Sequence, residues 1–323
     1  MHVLIFGGCG FVGLNVAQAL LARGHQVTLF DHADLPNAAQ RAFAVYGKQL
    51  CVLQGDVTNH QAVAAAIASG CDTLVLGAAI TAGVERDAAE PERILAVNLL
   101  AQVPMLQAAR RANVKRVINL SSAAAYGASG QRFQFLDETT PCDPVSLYSI
   151  TKFASERVAA RLGDLWQTDV ISVRLSAVFG PFERAGGVRD TPSPQALILG
   201  CLARGEPALL SDAGARDWVY ALDVADAIAL LLEAAKPQYT LYNISSGVTY
   251  TVEAWGDRFA DLRPGFVCRL AEQGERPTIA VHGPARAPLS TARLADEFGW
   301  RAQFSCLDSA VHLSRWFDEY LGA

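Results

Sequence analysis

Val3-Leu4-Ile5-Phe6-Gly7-Gly8-Cys9-Gly10-Phe11-Val12-Gly13 opens the chain, and Val27-Thr28-Leu29-Phe30-Asp31 follows a helical pattern at 14–22. Four strand-forming apolar residues, a glycine-rich turn, a helix and a second apolar run make a βαβ unit, whose strands lie parallel. Glycines permit the tight turn and remove the side chains that would block a close approach of backbone to ligand. The helix start beyond them offers free N–H groups and the positive end of its dipole to a pyrophosphate. Asp31 stands 31 − 13 = 18 residues beyond Gly13, near the ~20 expected of an acid that hydrogen-bonds an adenosine ribose. Strand before, helix after and acid beyond mark a dinucleotide site contacted by Gly7, Gly10, Phe11, Val12, Gly13 and Asp31. The plain alternative is a turn that uses glycine for steric reasons alone.

Asp31 also selects between dinucleotides. A 2′-phosphate ~4 Å from its carboxylate would be repelled by roughly 1 to 4 kcal/mol, depending on the local dielectric. His32 follows it, with no Arg beside it in the sequence to accept such a phosphate. NAD is therefore favoured over NADP.

Outward from this unit the alternation continues. Strands are expected at 3–6, 27–30, 50–54, 73–76, 116–120 and 170–175, and helices at 14–22, 61–68, 90–112 and 148–162. The strands are almost wholly apolar, as when both faces are buried. The pattern predicts an α/β fold, a Rossmann-type doubly wound parallel sheet with a smaller C-terminal lobe. Pro104 should bend the helix at 90–112. After Gly180-Pro181 the alternation turns irregular, with a strong helix at 223–235, a strand at 241–244 and a loop-rich stretch holding Pro264, Pro277, Pro284 and Pro288. The expected division is 1–180 as NAD-binding domain, with returning segments near 216–250, and 181–323 as mainly a substrate-binding lobe.

Composition narrows the class. With 323 residues, 51% hydrophobic and 18% charged, the chain can build a large core, and disorder is excluded. Its 27 Lys and Arg against 32 Asp and Glu leave a net charge of −5, which argues against nucleic acid and anionic membrane as partners. No apolar run approaches the ~20 residues that span a bilayer, and no basic leader precedes the first strand. Seven scattered cysteines without a C-x-x-C pair suit a reducing cytoplasm better than a disulfide framework or a zinc site. The six histidines lack metal-ligand spacing, and no G-x-S-x-G elbow is present, so neither a metal nor a serine hydrolase is expected.

Tyr148-Ser149-Ile150-Thr151-Lys152 begins a helix just beyond Pro144. Positions i and i+4 share a face, so the Lys152 ammonium can lie near the Tyr148 ring. A phenol of pKa ~10 becomes a base near ~7 only with about 4 kcal/mol of added phenolate stabilisation. A neighbouring cation acts in that direction. Tyr148 would then take a proton from a substrate hydroxyl during oxidation. Ser122, in Ser121-Ser122-Ala123-Ala124-Ala125-Tyr126-Gly127 at the carboxyl end of the fifth strand, could bond the same substrate oxygen. Alone, Y-x-x-x-K is a common accident of amphipathic helices, and Ser121-Ser122 reads equally as a turn.

Together these elements resemble the extended short-chain dehydrogenase/reductases, specifically the NAD-dependent epimerase/dehydratase family. The resemblance runs over nearly the whole chain through Gly55-Asp56-Val57, Gly77-Ala78-Ala79, Val97-Asn98, the segment from Arg174 to Gly180-Pro181, Arg216-Asp217 and the stretch 294–300. It implies that Asp56 and Val57 contact adenine, that Ala78 and Ala79 line the cofactor cleft, and that Asn98 buttresses the nicotinamide end. It implies Ser122, Tyr148 and Lys152 as the catalytic serine, tyrosine and lysine, the last two also touching NAD. Arg216, and with it Arg286, would face a substrate phosphate; the bland reading of Arg216-Asp217 is a local ion pair. Arg184, Arg189 and Ser193 are further candidate substrate groups, or else part of a solvated loop.

Departures bear on the reaction. The family's dehydratases carry Thr-Asp-Glu where this chain has Ser122-Ala123-Ala124, so water elimination lacks its acid. Ala177 replaces the usual Asn, and the stretch before Arg216 is short. Both lie where nucleotide-sugar members grip a diphosphate, leaving room for a smaller sugar acid or lactone. A sugar epimerase, a net dehydrogenase of a small polyhydroxy substrate and a non-enzymatic NAD sensor are the competing functions; the intact Ser, Tyr and Lys disfavour the last. A homodimer paired through the helices at 90–112 and 148–162 is expected, against burial of those faces within one chain.

Overall fold

In the computed structural model, which describes residues 1–184, 189–281 and 286–321, seven strands form one sheet. In chain order the strands are β1 (His2–Phe6), β2 (Gln26–Asp31), β3 (Leu50–Gln54), β4 (Thr73–Leu76), β5 (Arg116–Ser122), β6 (Val170–Leu175), β7 (Ala177–Phe179), β8 (Ala208–Leu210), β9 (Trp218–Tyr220), β10 (Leu241–Ile244) and β11 (Cys268–Leu270). The sheet runs β10-β6-β5-β4-β1-β2-β3 with every pair parallel. This is the expected Rossmann-type doubly wound sheet. Its winding reverses between β1 and β4, so the loops leaving those strands diverge and open a crevice at their carboxyl ends, where such sheets bind ligands.

Burial explains the apolar strands, with one exception. β1, β4 and β6 are buried almost throughout, whereas β3 forms the edge and leaves Val52 42% exposed. On one face the helices Phe11–Ala22 and Ala221–Glu233 pack together and supply a shared core with Val3, Ile5 and Leu29. The other face is covered by the helices His60–Ala68, Gln102–Arg111 and Leu147–Trp166. Leu14 and Leu20, both 0% exposed, seat the first helix; truncating either to Ala would leave a cavity costing about 2–5 kcal/mol.

The expected helix at 90–112 is interrupted. A helix Pro91–Leu95 passes through a π-turn at Ala96–Leu100 into Gln102–Arg111. The Ala101 N–H bonds back to Ala96 O at 2.9 Å, five residues away. Pro104 has no N–H for the Leu100 carbonyl and its ring would crowd it; the widened turn just before it relieves that conflict.

Beyond residue 180 the chain is divided between sheet and lobe. The helix Ala221–Glu233 packs on the helix Phe11–Ala22, and β10 joins the sheet beside β6. Two short parallel pairs, β7 with β9 and β8 with β11, and the helices Pro194–Arg204 and Val252–Asp261 lie outside the seven-stranded sheet. There Trp255 stacks on Phe259 with ring centroids 5.0 Å apart. Among the described residues no helix is long and apolar enough to cross a membrane.

Candidate active site

The turn after β1 requires its glycines. Gly7 has φ +76°, and a Cβ there would stand 2.6 Å from the Ala78 backbone N; at Gly13 it would stand 2.4 Å from Gly7 O. Side chains at either point would collide with main chain and force the turn open. The Gly7 N–H donates to Phe30 O at 2.9 Å, tying the turn to β2. At the end of β2, Asp31 is 7% exposed. Its carboxylate accepts the Cys9 and Ala33 N–H groups, each at 3.0 Å, and lies 3.1 Å from His32 Nδ1. Asn15, one turn into the helix, donates to Phe11 O and Pro181 O at 2.9 Å, binding the helix start to the chain beyond β7.

Gly7, Gly10, Asp31, Asp56, Val57 and Ala78 line a cavity of about 220 Å³, with Ala79 in the same wall. Its open cradle, with the Asp31 carboxylate in the wall, fits a dinucleotide. Asp56, expected to contact adenine, stands in that wall with its carboxylate already held by protein groups. Its carboxylate is bound by Arg93 Nη2 at 2.8 Å and by the Thr58 N–H and hydroxyl at 2.8 and 2.7 Å. Partial burial pushes its pKa up, but the Arg93 and Thr58 bonds outweigh it and hold it at about 2. Asn98 acts as a buried clamp: its amide exchanges hydrogen bonds with Ile80 N–H (2.7 Å) and Ile80 O (3.0 Å) and donates to Thr151 at 3.3 Å. It thus ties the loop beyond β4 to the helix that bears Tyr148 and Lys152.

That helix starts at a capping box between Ser146 and Ser149, which fixes its first turn. Tyr148 faces a second cavity, about 230 Å³, whose wall includes Val12, Thr81, Ser122, Arg189 and Arg216. The Ser122 and Thr81 hydroxyls stand in the same wall and act to lower the phenol's pKa. Lys152 is 5% exposed; its ammonium donates to Leu120 O at 2.7 Å and lies 5.9 Å from the centre of the Tyr148 ring. Ser121 turns away and donates to Glu156.

The electrostatics revise the expectation for Tyr148. Burial raises its pKa, against the pull of the Ser122 and Thr81 hydroxyls and the Arg189 cation. Lys152 is the partner that moves toward neutrality: burial lowers it to about 8, with Glu156 acting in the opposite sense. The Lys152 amine therefore gives up its proton more readily than a free lysine, while the Tyr148 phenol holds its proton more tightly than a free tyrosine.

The lobe-side residues separate. Arg189 pairs with Glu183 at 2.9 Å and lies over the Phe11 ring at 5.3 Å. Ser193 borders the cavity, but its hydroxyl bonds Glu183 at 2.6 Å and caps the helix Pro194–Arg204. Arg184 departs from its expected place: it is exposed, outside the walls of both substrate-side cavities, and close enough to Cys9 to lower that thiol's pKa against the larger effect of burial. Arg216, lying by the Trp218 ring at 5.8 Å, borders the Tyr148 cavity and also an adjoining one of about 250 Å³. Burial and the nearby Arg286 cation lower its pKa. Arg286 lines the adjoining cavity and binds Asp217 at 2.8 Å and Ser176 at 2.9 Å. Asp217 thus pairs with Arg286, across the fold, and its charge also acts on Arg216.

Two features escaped the sequence reading. Thr81 carries no motif, though it continues the Gly77-Ala78-Ala79 turn whose loop closes on the site. Glu156, four residues beyond Lys152, forms an ion pair with Arg174 at 2.7 Å, both side chains 4% exposed, directly behind the lysine. Its helical spacing was the available signal.

The sequence pattern of the NAD dependent epimerase/dehydratase family matches residues 3–245. A sterol-4-alpha-carboxylate 3-dehydrogenase (decarboxylating) of Candida albicans is 29% identical over 77% of this chain and 69% of its own length. A UDP-glucose 4-epimerase of Corynebacterium glutamicum is 24% identical and aligns over 100% of this chain and 97% of its own. Among solved structures, the Bordetella bronchiseptica enzyme WbmG in complex with NAD and UDP superposes with a TM-score of 0.76 at 26% identity, covering 98% of this chain and 95% of that one.

Proposed function

The chain belongs to the NAD-dependent epimerase/dehydratase family and is an enzyme of the extended short-chain dehydrogenase/reductase type, and from that premise we propose that it is a sugar epimerase acting on a nucleotide sugar at a secondary hydroxyl. The observation that carries this reading is the Tyr148 cavity, which holds the phenol with the Ser122 and Thr81 hydroxyls and meets, at Arg216, a second cavity walled by Arg286. A sugar ring fits the first and an anionic diphosphate the second. The wall's hydroxyls and arginines suit a polyhydroxy substrate, whereas an apolar steroid would strand them unpaired.

In this reading Asp31, the 7–13 turn, Ala78, Ala79 and Val57 hold NAD, which when bound supplies the two-electron acceptor for the carbon bearing the substrate hydroxyl. Tyr148 takes that hydroxyl's proton, sharing the charge with Lys152. Ser122 and Thr81 orient the oxygen. Lys152 is in turn fixed by Leu120 O, and Asn98 holds the wall opposite. Ala123 and Ala124 offer no acid, so a hydroxyl on the neighbouring carbon is not eliminated as water.

Arg189, the cation that acts on Tyr148, supports a second reading: net oxidation of a small sugar acid whose carboxylate pairs with it. Incubation with UDP-glucose, UDP-glucuronate and free sugar acids, followed by product NMR and nicotinamide absorbance, separates the two. Inversion at one carbon without accumulating NADH supports the epimerase; steady NADH formation replaces it with the dehydrogenase; inertness toward the whole panel defeats both. We propose also that two chains pair through the helices Gln102–Arg111 and Leu147–Trp166, near which Leu100, Ile150 and Leu165 are exposed; a monomeric mass by light scattering at micromolar concentration would refute this.

A further inference from the structure

The segment at 189–193 crosses from the lobe to the loop beyond β4. There Arg189 pairs with Thr81 in a parallel bridge, and the Asp190 N–H donates to Thr81 O at 3.1 Å. The Asp190 carboxylate then accepts the Gly83 N–H at 3.1 Å and meets Arg86 Nε at 3.3 Å. Arg86 belongs to the wall of the cofactor cavity, while Arg189 and Thr191 line the cavity of Tyr148. Arg189 also covers the Phe11 ring at the glycine turn. One short segment therefore touches both cavities, and a dinucleotide reaching from Asp31 to Tyr148 must pass beside it.

We propose that Asp190 is a positioning residue that retains the cofactor: its contacts with the Gly83 N–H and Arg86 clasp the 189–193 segment to the cleft wall and slow release of NAD. The inference rests on the NAD-binding reading and goes beyond it. Both carboxylate contacts are made to the 83–86 stretch, and both are charge-assisted, so one side chain holds the seam. Without them, the segment's links to the 81–86 stretch fall back on the backbone pairing around Thr81, while Arg189 and Ser193 still hold it to Glu183. Retention has a chemical consequence. An epimerase must oxidise and reduce the same substrate molecule before its coenzyme leaves, whereas a net dehydrogenase must let the coenzyme go. Asp190 would thus favour the first behaviour.

The test loads purified enzyme with radiolabelled NAD and follows loss of label after dilution into unlabelled NAD. Asp190→Ala should release NAD at least ~10-fold faster, the equivalent of about 1.4 kcal/mol. It should raise the NAD concentration for half-maximal turnover in step, while kcat falls less than ~3-fold. Asp190→Asn keeps the side chain's shape and its acceptor for Gly83 but loses the charge facing Arg86, and should fall between. Asp190→Glu should recover part of the retention. Release from both Asp190→Ala and Asp190→Asn within ~2-fold of the parent would overturn the proposal, as would a loss of kcat without faster release. Failure of the parent itself to take up labelled NAD would be a different outcome, sinking the cofactor reading and the clasp with it.

Discussion

At the ends of β1 and β2 the polar contacts are backbone N–H groups meeting one buried carboxylate, all within the first 33 residues. Under the lobe they are long cations braced from afar: Arg189 by Glu183, and Arg286 by Asp217, which stands 69 positions away in sequence. The cofactor half depends on where backbone can go; the substrate half depends on which side chains the fold brings together. A backbone-built half tolerates little variation, because an added Cβ at Gly7 or Gly13 collides with main chain. An arginine-built half can change its ligand by exchanging side chains on the same frame. This division fits a family whose members share NAD and differ in substrate.

The seam between the halves should give the largest effect. Tyr148→Phe removes the proton acceptor while leaving both halves intact, and should cost roughly 10²–10⁴ in kcat. NAD affinity by calorimetry should stay within ~3-fold; a parallel loss of NAD binding would mean that the tyrosine is structural.

Next comes the backbone half. Gly7→Val forces a branched side chain into left-handed geometry, at about 1–2 kcal/mol, and against Ala78, at typically another 1–3 kcal/mol. NAD affinity should fall about 100-fold and the melting temperature should drop. Unchanged affinity would erase the contrast between the two halves.

The arginine half should respond differently. Arg216→Met removes one charge from the junction of the two cavities and should raise KM for an anionic substrate about tenfold, the worth of one charge-assisted bond. NAD affinity should be preserved. An equal loss with neutral and anionic substrates would return Arg216 to a loop-shaping role.

The smallest effect is in pH. Burial lowers Lys152 to about 8, so if the two groups share their protons the singly deprotonated pair, and with it the phenolate–ammonium form, grows as pH rises through about 8 and then levels. A plot of kcat/KM should show an acid limb centred there. A rate falling through that range would show that the doubly protonated pair is the active form.

The same contrast decides what could be read from the sequence. The βαβ unit, the parallel doubly wound sheet and the helix that carries Tyr148 and Lys152 were legible because each follows from local rules of strand period, glycine turn and helical spacing. The π-turn at Ala96–Leu100 was not, since Pro104 announces a distortion without saying how the helix absorbs it. Arg184 and Ser193 stand as candidate substrate groups, or as part of a solvated loop, on residue type alone; their surroundings depend on Cys9 and Glu183, and no local pattern connects them. The direction of the pKa shifts was also hidden. Spacing brings the amine near the ring, but only burial decides that Lys152 falls and Tyr148 rises.

The most direct measurement is a crystal structure of the enzyme with NAD. The adenosine ribose should lie on Asp31, and the nicotinamide ring should lie beside Tyr148 and Lys152, with room for a substrate carbon at about 3–3.5 Å. A dinucleotide whose nicotinamide ends away from Tyr148, or whose ribose leaves Asp31 untouched, would contradict the proposed chemistry.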